Sequence, residues 1–163
     1  MSTKLARSVA LAAALALIVA GAAFAAAITV KSTTNATLGA IVINAGGKTL
    51  YHNTKEKNGS IKCTGYCLKV WPPLLVGKAA KLKAGAGITA SKLGRVKRPD
   101  GRFQVTYYGK PLYRYYGDNA PGDVNGEGIG GIWFAIATNG TLAKPSSTST
   151  TTSTGTTTTN PYG

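Results

Sequence analysis

Histidine occurs once in 163 residues, as His52; methionine is confined to Met1, and there are two cysteines. Acids are scarce as well: five, against 19 Lys and Arg, for a formal charge of +14. These shortages remove whole classes of chemistry. With one imidazole, no serine in a nucleophile-elbow context and no acid pair recurring in both halves, nothing resembles an activated nucleophile with its base. The Cys-x-x-Cys-His signature of haem attachment is absent. No segment holds helical periodicity long enough to build a helical core.

The one long apolar run opens the chain. Lys4 and Arg7 precede an apolar stretch from Val9 to Val19, and Ala23-Phe24-Ala25 is a small-x-small site. This is the pattern of a secretory signal peptide cleaved near Ala25; the run's length keeps an uncleaved anchor as the alternative. No cysteine stands near that site, so the chain is expected to be secreted, in the cell envelope or beyond, and not a lipoprotein. Without residues 1–25 the chain keeps 17 cations against five acids, a charge of about +12. That suits lipid head groups, wall polymers or extracellular DNA; the plainer reading is solubility alone. Residues 145–163 are mostly Ser, Thr and Gly. They have almost nothing to bury, and are expected to be a disordered tail open to glycosylation.

Within the remainder, the chain repeats itself. Gly47-Lys48-Thr49-Leu50-Tyr51 returns 62 positions later as Gly109-Lys110-Pro111-Leu112-Tyr113, and the same offset joins Gly39 to Gly101, Trp71 to Trp133 and Glu56 to Asp118. A repeat of this length predicts two copies of one supersecondary unit sharing a core. Ile41-Val42-Ile43, a Gly-rich turn and Lys48 to His52 read as a hairpin. Phe103, Val105 and Tyr107 alternate with polar residues before the Tyr108-Gly109 turn and form a clearer one. Each hairpin is followed by a Gly-containing loop and a Trp-led apolar run, from Trp71 and from Ile132. Pro72-Pro73 forbids regular pairing in the first run. The expected fold is all-β, a small sandwich or open barrel with pseudo-two-fold halves. A lead-in spans 26–37, copy one 38–77, a connector 78–99 and copy two 100–144.

Few residues are candidates for chemistry. Cys63 and Cys67, separated by three residues in an exported chain, are expected to be disulfide-bonded; with His52 they are also an incomplete soft-metal set that copper would suit. Asp118, Asp123, Asn125 and Glu127 crowd one Gly-rich loop. Its Asp123–Gly128 stretch copies the opening of a calcium loop but lacks the closing Glu, since Phe134 stands there; turn capping is the alternative. No resident cofactor is expected. Tyr51, Tyr113, Tyr115, Trp71 and Trp133, beside Asp118, form a candidate stacking surface for sugars or bases, with Tyr107, Tyr108 and Tyr116 in the same aromatic set, against a reading as cross-strand packing. Lys81, Lys83, Lys92, Arg95, Lys97 and Arg98, flanked by Lys78 and Arg102, form a candidate basic patch for an anionic envelope polymer, lipid surface or glycan. No motif of a sequence-specific nucleic-acid reader accompanies them.

These residues resemble a known bacterial family, the secreted repeat of unknown function, also described as predicted lipoproteins with a Tyr-x-aromatic-x-x-Asp motif. Tyr113-Arg114-Tyr115-Tyr116-Gly117-Asp118 fits that motif in full; Tyr51-His52-Asn53-Thr54-Lys55-Glu56 is a degraded copy, with Asn for the aromatic and Glu for Asp. Cys63-x-Gly65-x-Cys67, Trp71-Pro72-Pro73-Leu74-Leu75 and Gly122-Asp123-x-Asn125-Gly126 are family-like too, and the likeness runs from Leu38 to about Gly140. It implies an exported bacterial protein of tandem repeats without an established activity. Many members carry a lipobox cysteine, which this chain lacks. The residues and the resemblance together give the expected function: a non-enzymatic binding or envelope-associated module, with a metal-handling or redox protein using Cys63, Cys67 and His52 as the alternative.

Overall fold

A computed structural model describes residues 27–145. The expected signal peptide and residues 146–163 of the tail lie outside the described residues. The architecture is all-β, and its sheets stay open. β1 (Ile28–Asn35) and β2 (Gly39–Asn44) pair antiparallel. Their turn is held by Asn35 Oδ1, which accepts from the N–H groups of Thr37 and Leu38, and Gly39 takes the left-handed φ of +70° that the corner needs. After β3 (Tyr51–Asn53) come a single helical turn α1 (Cys67–Val70), β4 (Leu75–Val76), β5 (Leu82–Ala84) and β6 (Leu93–Lys97). β7 (Phe103–Tyr107), β8 (Lys110–Pro111) and β9 (Trp133–Ala135) follow among the described residues. Three sheets result: β2-β1-β5, with β5 parallel to β1; β4-β7-β6, with β8 also on β7; and β3-β9.

The structure corrects two boundaries. Residues 28–35 are not a lead-in but the longest strand, and the supposed connector contains β5 and β6. β1–β2 and β6–β7 are equivalent antiparallel pairs, so copy one begins at β1 and copy two at β6. β1 escaped notice because it buries only one side chain fully, Val30; its order comes from backbone bonds to strands on both edges. A Thr-rich strand held that way carries little hydrophobic alternation.

The halves are intercalated rather than stacked. β3 of copy one pairs with β9 of copy two, and β7 of copy two pairs with β4 of copy one. At the centre each residue meets its own repeat counterpart. Tyr51 N–H donates to Tyr113 O at 2.8 Å, and Tyr113 N–H donates to Tyr51 O at 2.9 Å. Trp71 and Trp133 stack face to face, centroids 3.9 Å apart and planes 5° from parallel. A pseudo-two-fold axis passes between these pairs.

Side-chain alternation along the central strands feeds two cores. Ile41, Ile43, Tyr51, Tyr113 and Ala135 point into one, with both tryptophans and Cys63. Their neighbours Val42, Leu50, Leu112 and Ile136 point into the other, with Val105 and Tyr107. Strands buried on both faces explain the near-continuous apolar runs of the sequence.

Candidate functional site

The Tyr-x-aromatic-x-x-Asp motif serves as a cross-copy brace. Tyr51 hydroxyl donates to Asp118 Oδ2 at 2.9 Å, and Tyr113 hydroxyl donates to Glu56 Oε1 at 2.8 Å. Each tyrosine thus serves the other copy's acid. Each acid then accepts from a backbone N–H seven residues on: Asn125 N–H to Asp118 Oδ1 at 3.0 Å, and Cys63 N–H to Glu56 Oε1 at 2.9 Å. Burial, reinforced by the adjacent carboxylate, pushes both hydroxyls far above the ordinary tyrosine range, so they stay protonated donors. Burial likewise raises Asp118 and Glu127. Arg98 is almost wholly buried beside this brace. Its guanidinium donates to Gln104 Oε1, to Cys63 O and, at 3.4 Å, to Tyr113 hydroxyl.

The expected aromatic ligand surface is therefore corrected. Tyr51, Tyr113, Trp71, Trp133 and Asp118 are buried, and half-buried Tyr115 packs on Trp71 at 4.7 Å. They are cross-strand packing at the seam between the copies. Strand periodicity assigns faces but does not say that both copies aim their aromatics at one seam. The acidic loop is organised by its own carboxylates. Asp123 Oδ2 accepts from Asn119 and Ala120 N–H, which hold it below the usual carboxylate range, and Glu127 Oε2 accepts from Ala135 N–H. Asn125 Nδ2 donates to Gly117 O. Asp118, Asp123, Asn125 and Glu127 thus turn to separate partners. Among the described residues no group of three or more His, Cys, Asp or Glu is placed to hold a metal ion.

Cys63 and Cys67 are bonded, their Cα atoms 5.4 Å apart, so neither sulfur is a free thiolate for copper; His52 faces Pro111 O through Nδ1 at 3.4 Å. The bond closes a five-residue loop at the start of α1. Reduction should lower stability by about 2 kcal/mol in the chain-entropy model. Urea unfolding with and without reductant checks this; an unchanged midpoint would contradict it.

The basic patch divides. Arg98 is core. Arg95 donates to the carbonyls of Gly77, Lys78 and Ala80, which fixes its head. Lys81, Lys83, Lys92 and Lys97 are exposed. Lys92 Nζ lies 5.4 Å from the centre of the Tyr108 ring.

Beside the brace lies an open cleft of about 660 Å³, lined by both copies. Copy one contributes His52, Thr54, Glu56, Lys57 and Asn58. Copy two contributes the β6–β8 face with Thr106, Tyr108 and Lys110. Thr106, Tyr108 and Gly109 also border a second hollow of about 420 Å³ that reaches Lys92. From the sequence, His52 stands in the soft-metal set, Lys92 in the basic patch and Tyr108 among the candidate stacking aromatics, while Lys57 and Lys110 are placed at no site. The usable signal was an aromatic in a turn: Tyr108 has φ +48°, a left-handed conformation uncommon for a bulky residue.

His52 gives the fold a pH dependence. Burial lowers it to about 4 from an ordinary 6.5. Folding favours the neutral ring, so this contribution is complete above the unfolded value and is lost as pH falls toward 4. Between pH 7 and pH 5 the loss should be about 2 kcal/mol. Asp118 and Glu127, raised by burial, act in the opposite sense. The check is a pair of urea midpoints at pH 7 and 5 for wild type and His52→Gln; equal pH slopes would refute the assignment.

The chain matches the family described as "secreted repeat of unknown function" twice, over residues 32–75 and 94–137, and belongs to it. The two matches begin within β1 and β6, as the corrected repeat boundaries require. No curated protein and no solved structure matches the chain. Among the described residues no helix is long and apolar enough to cross a membrane.

Proposed function

We propose that this secreted-family protein is a non-enzymatic binding module that attaches to an anionic polymer of the cell envelope. The observation that carries the reading is the division of charge. All five acids of the chain lie among the described residues. Glu56, Asp118 and Glu127 are spent on hydroxyls and backbone N–H groups within the fold, and Asp123, at the surface, on the N–H groups of its own loop. Asp100 makes the two ion pairs found among the described residues, with Arg98 and Arg102. Among the described residues no lysine makes an ion pair, and most of them, Lys81, Lys83, Lys92 and Lys97 included, face solvent; a field of one sign draws polyanions. The exposed aromatics Tyr66 and Tyr116 add isolated contact points. With both sulfurs bonded to each other, the metal-handling alternative has no matching support.

Cosedimentation with wall fractions and with vesicles containing an anionic lipid tests the reading. Binding should be strong at low salt, fall steeply as salt rises and be absent on neutral vesicles. Indifference to every anionic surface at low salt would refute it.

A further inference from the structure

We infer that the two adjoining hollows form one groove that binds a strand of acidic polysaccharide, with Tyr108 as its stacking platform. The inference rests on the preceding reading and names its site and ligand class. The hollows adjoin, since the linings of both include Thr106, Tyr108 and Gly109. Two open hollows side by side suit a linear chain rather than an enclosed small molecule. Tyr108 sits at the junction, half-buried.

The ring is fixed before any ligand arrives. Tyr107 meets it edge-on with centroids 4.8 Å apart. It also packs so closely over Gly140 that a Cβ there would lie 2.3 Å from it. Its left-handed backbone presents the side chain at the head of the β7–β8 turn. A rigid aromatic that loses little freedom on binding is the usual platform for the apolar face of a sugar ring.

The charges complement an acidic chain. Lys57 and Lys110 line the larger hollow and Lys92 the smaller. Glu56 is the one carboxylate among the lining residues, and it is buried, with Oε1 taken by Tyr113 and two backbone N–H groups. Asn58, Thr54 and Thr106 supply the hydrogen-bonding groups that sugar hydroxyls require.

The test is calorimetry of the whole protein with a galacturonic acid hexamer, a neutral hexasaccharide and an oligothymidylate of equal charge. The acidic hexamer should bind, with the neutral one at least about tenfold weaker. Tyr108→Asn keeps a residue tolerant of left-handed backbone and should weaken the acidic hexamer about tenfold. Tyr108→Phe retains the ring and should bind like wild type. Replacing Lys57 and Lys110 together by Gln should flatten the salt dependence. Replacing Lys81 and Lys83, which add to the general field but lie outside the groove, should weaken binding less than the Lys57/Lys110 pair does. Equal binding by Tyr108→Asn, or a larger loss from the Lys81/Lys83 pair, would overturn the groove while leaving a cationic binding surface. An oligothymidylate held as tightly as the uronate would overturn the saccharide class. No binding to any of these probes or to anionic vesicles would end both readings.

Discussion

Glu56→Ala should destabilise the protein by about 3–5 kcal/mol, the cost of removing one partner from a buried charged network. One oxygen of Glu56 accepts from Tyr113 hydroxyl and from Lys62 and Cys63 N–H at 2.7–2.9 Å. Alanine strands all three donors. It also frees the Tyr113 hydroxyl that Arg98 contacts at 3.4 Å, while Arg98 keeps its ion pair from Nε to Asp100 at 3.5 Å. Glu56→Gln keeps an acceptor oxygen and should cost much less. That ordering separates the lost acceptor from lost bulk. Urea unfolding of the two variants measures it, and equal losses would show that the oxygen is not what matters. Against the roughly 5–15 kcal/mol available to a domain, the alanine variant is close to unfolding at ambient temperature.

Trp133→Ala is the second severe change, again about 3–5 kcal/mol. The indole is stacked on Trp71 and meets Tyr113 edge-on at 5.1 Å. Its removal opens a cavity where both copies meet. Trp71→Ala should be similar in size, and the double variant should cost clearly less than the sum, because each single change already forfeits the shared contact. Strict additivity in denaturant unfolding would mean that the rings do not hold each other.

How legible this was depends on the physical kind of signal. The duplication was plain because paired Tyr and Trp must recur where a residue meets its own counterpart. The disulfide spacing was plain because an exported chain with two near cysteines has few alternatives. β1 was not, since its order is a matter of backbone pairing. The constant offset of 62 also hides a local slip: Leu50 N–H bonds Val42 O, but Leu112 N–H bonds Val105 O, an offset of 63 between Val42 and Val105. One hairpin turn is a residue longer, and β-pairing absorbed it. Intercalation was invisible for a deeper reason. A strand's apolar pattern records that it is buried, not which copy buries it. So Tyr51, Tyr113, Trp71 and Trp133 read equally well as platform or seam, and Arg98 read as surface charge although Gln104, Cys63 O and Tyr113 enclose it. Lys57 and Lys110 gave no signal because the groove forms only when residues 52–59 fold over the copy-two hairpin.

The central claim is that each repeat completes the other. Dividing the chain after Gly87 separates β1–β5 from β6–β9 and tests this directly. Each fragment alone should lack cooperative unfolding, having lost the partner of its Trp-led strand. Mixing them should restore a cooperative transition together with the near-ultraviolet circular dichroism of the Trp71–Trp133 stack. Two fragments that each unfold cooperatively by themselves, with no change on mixing, would contradict the account.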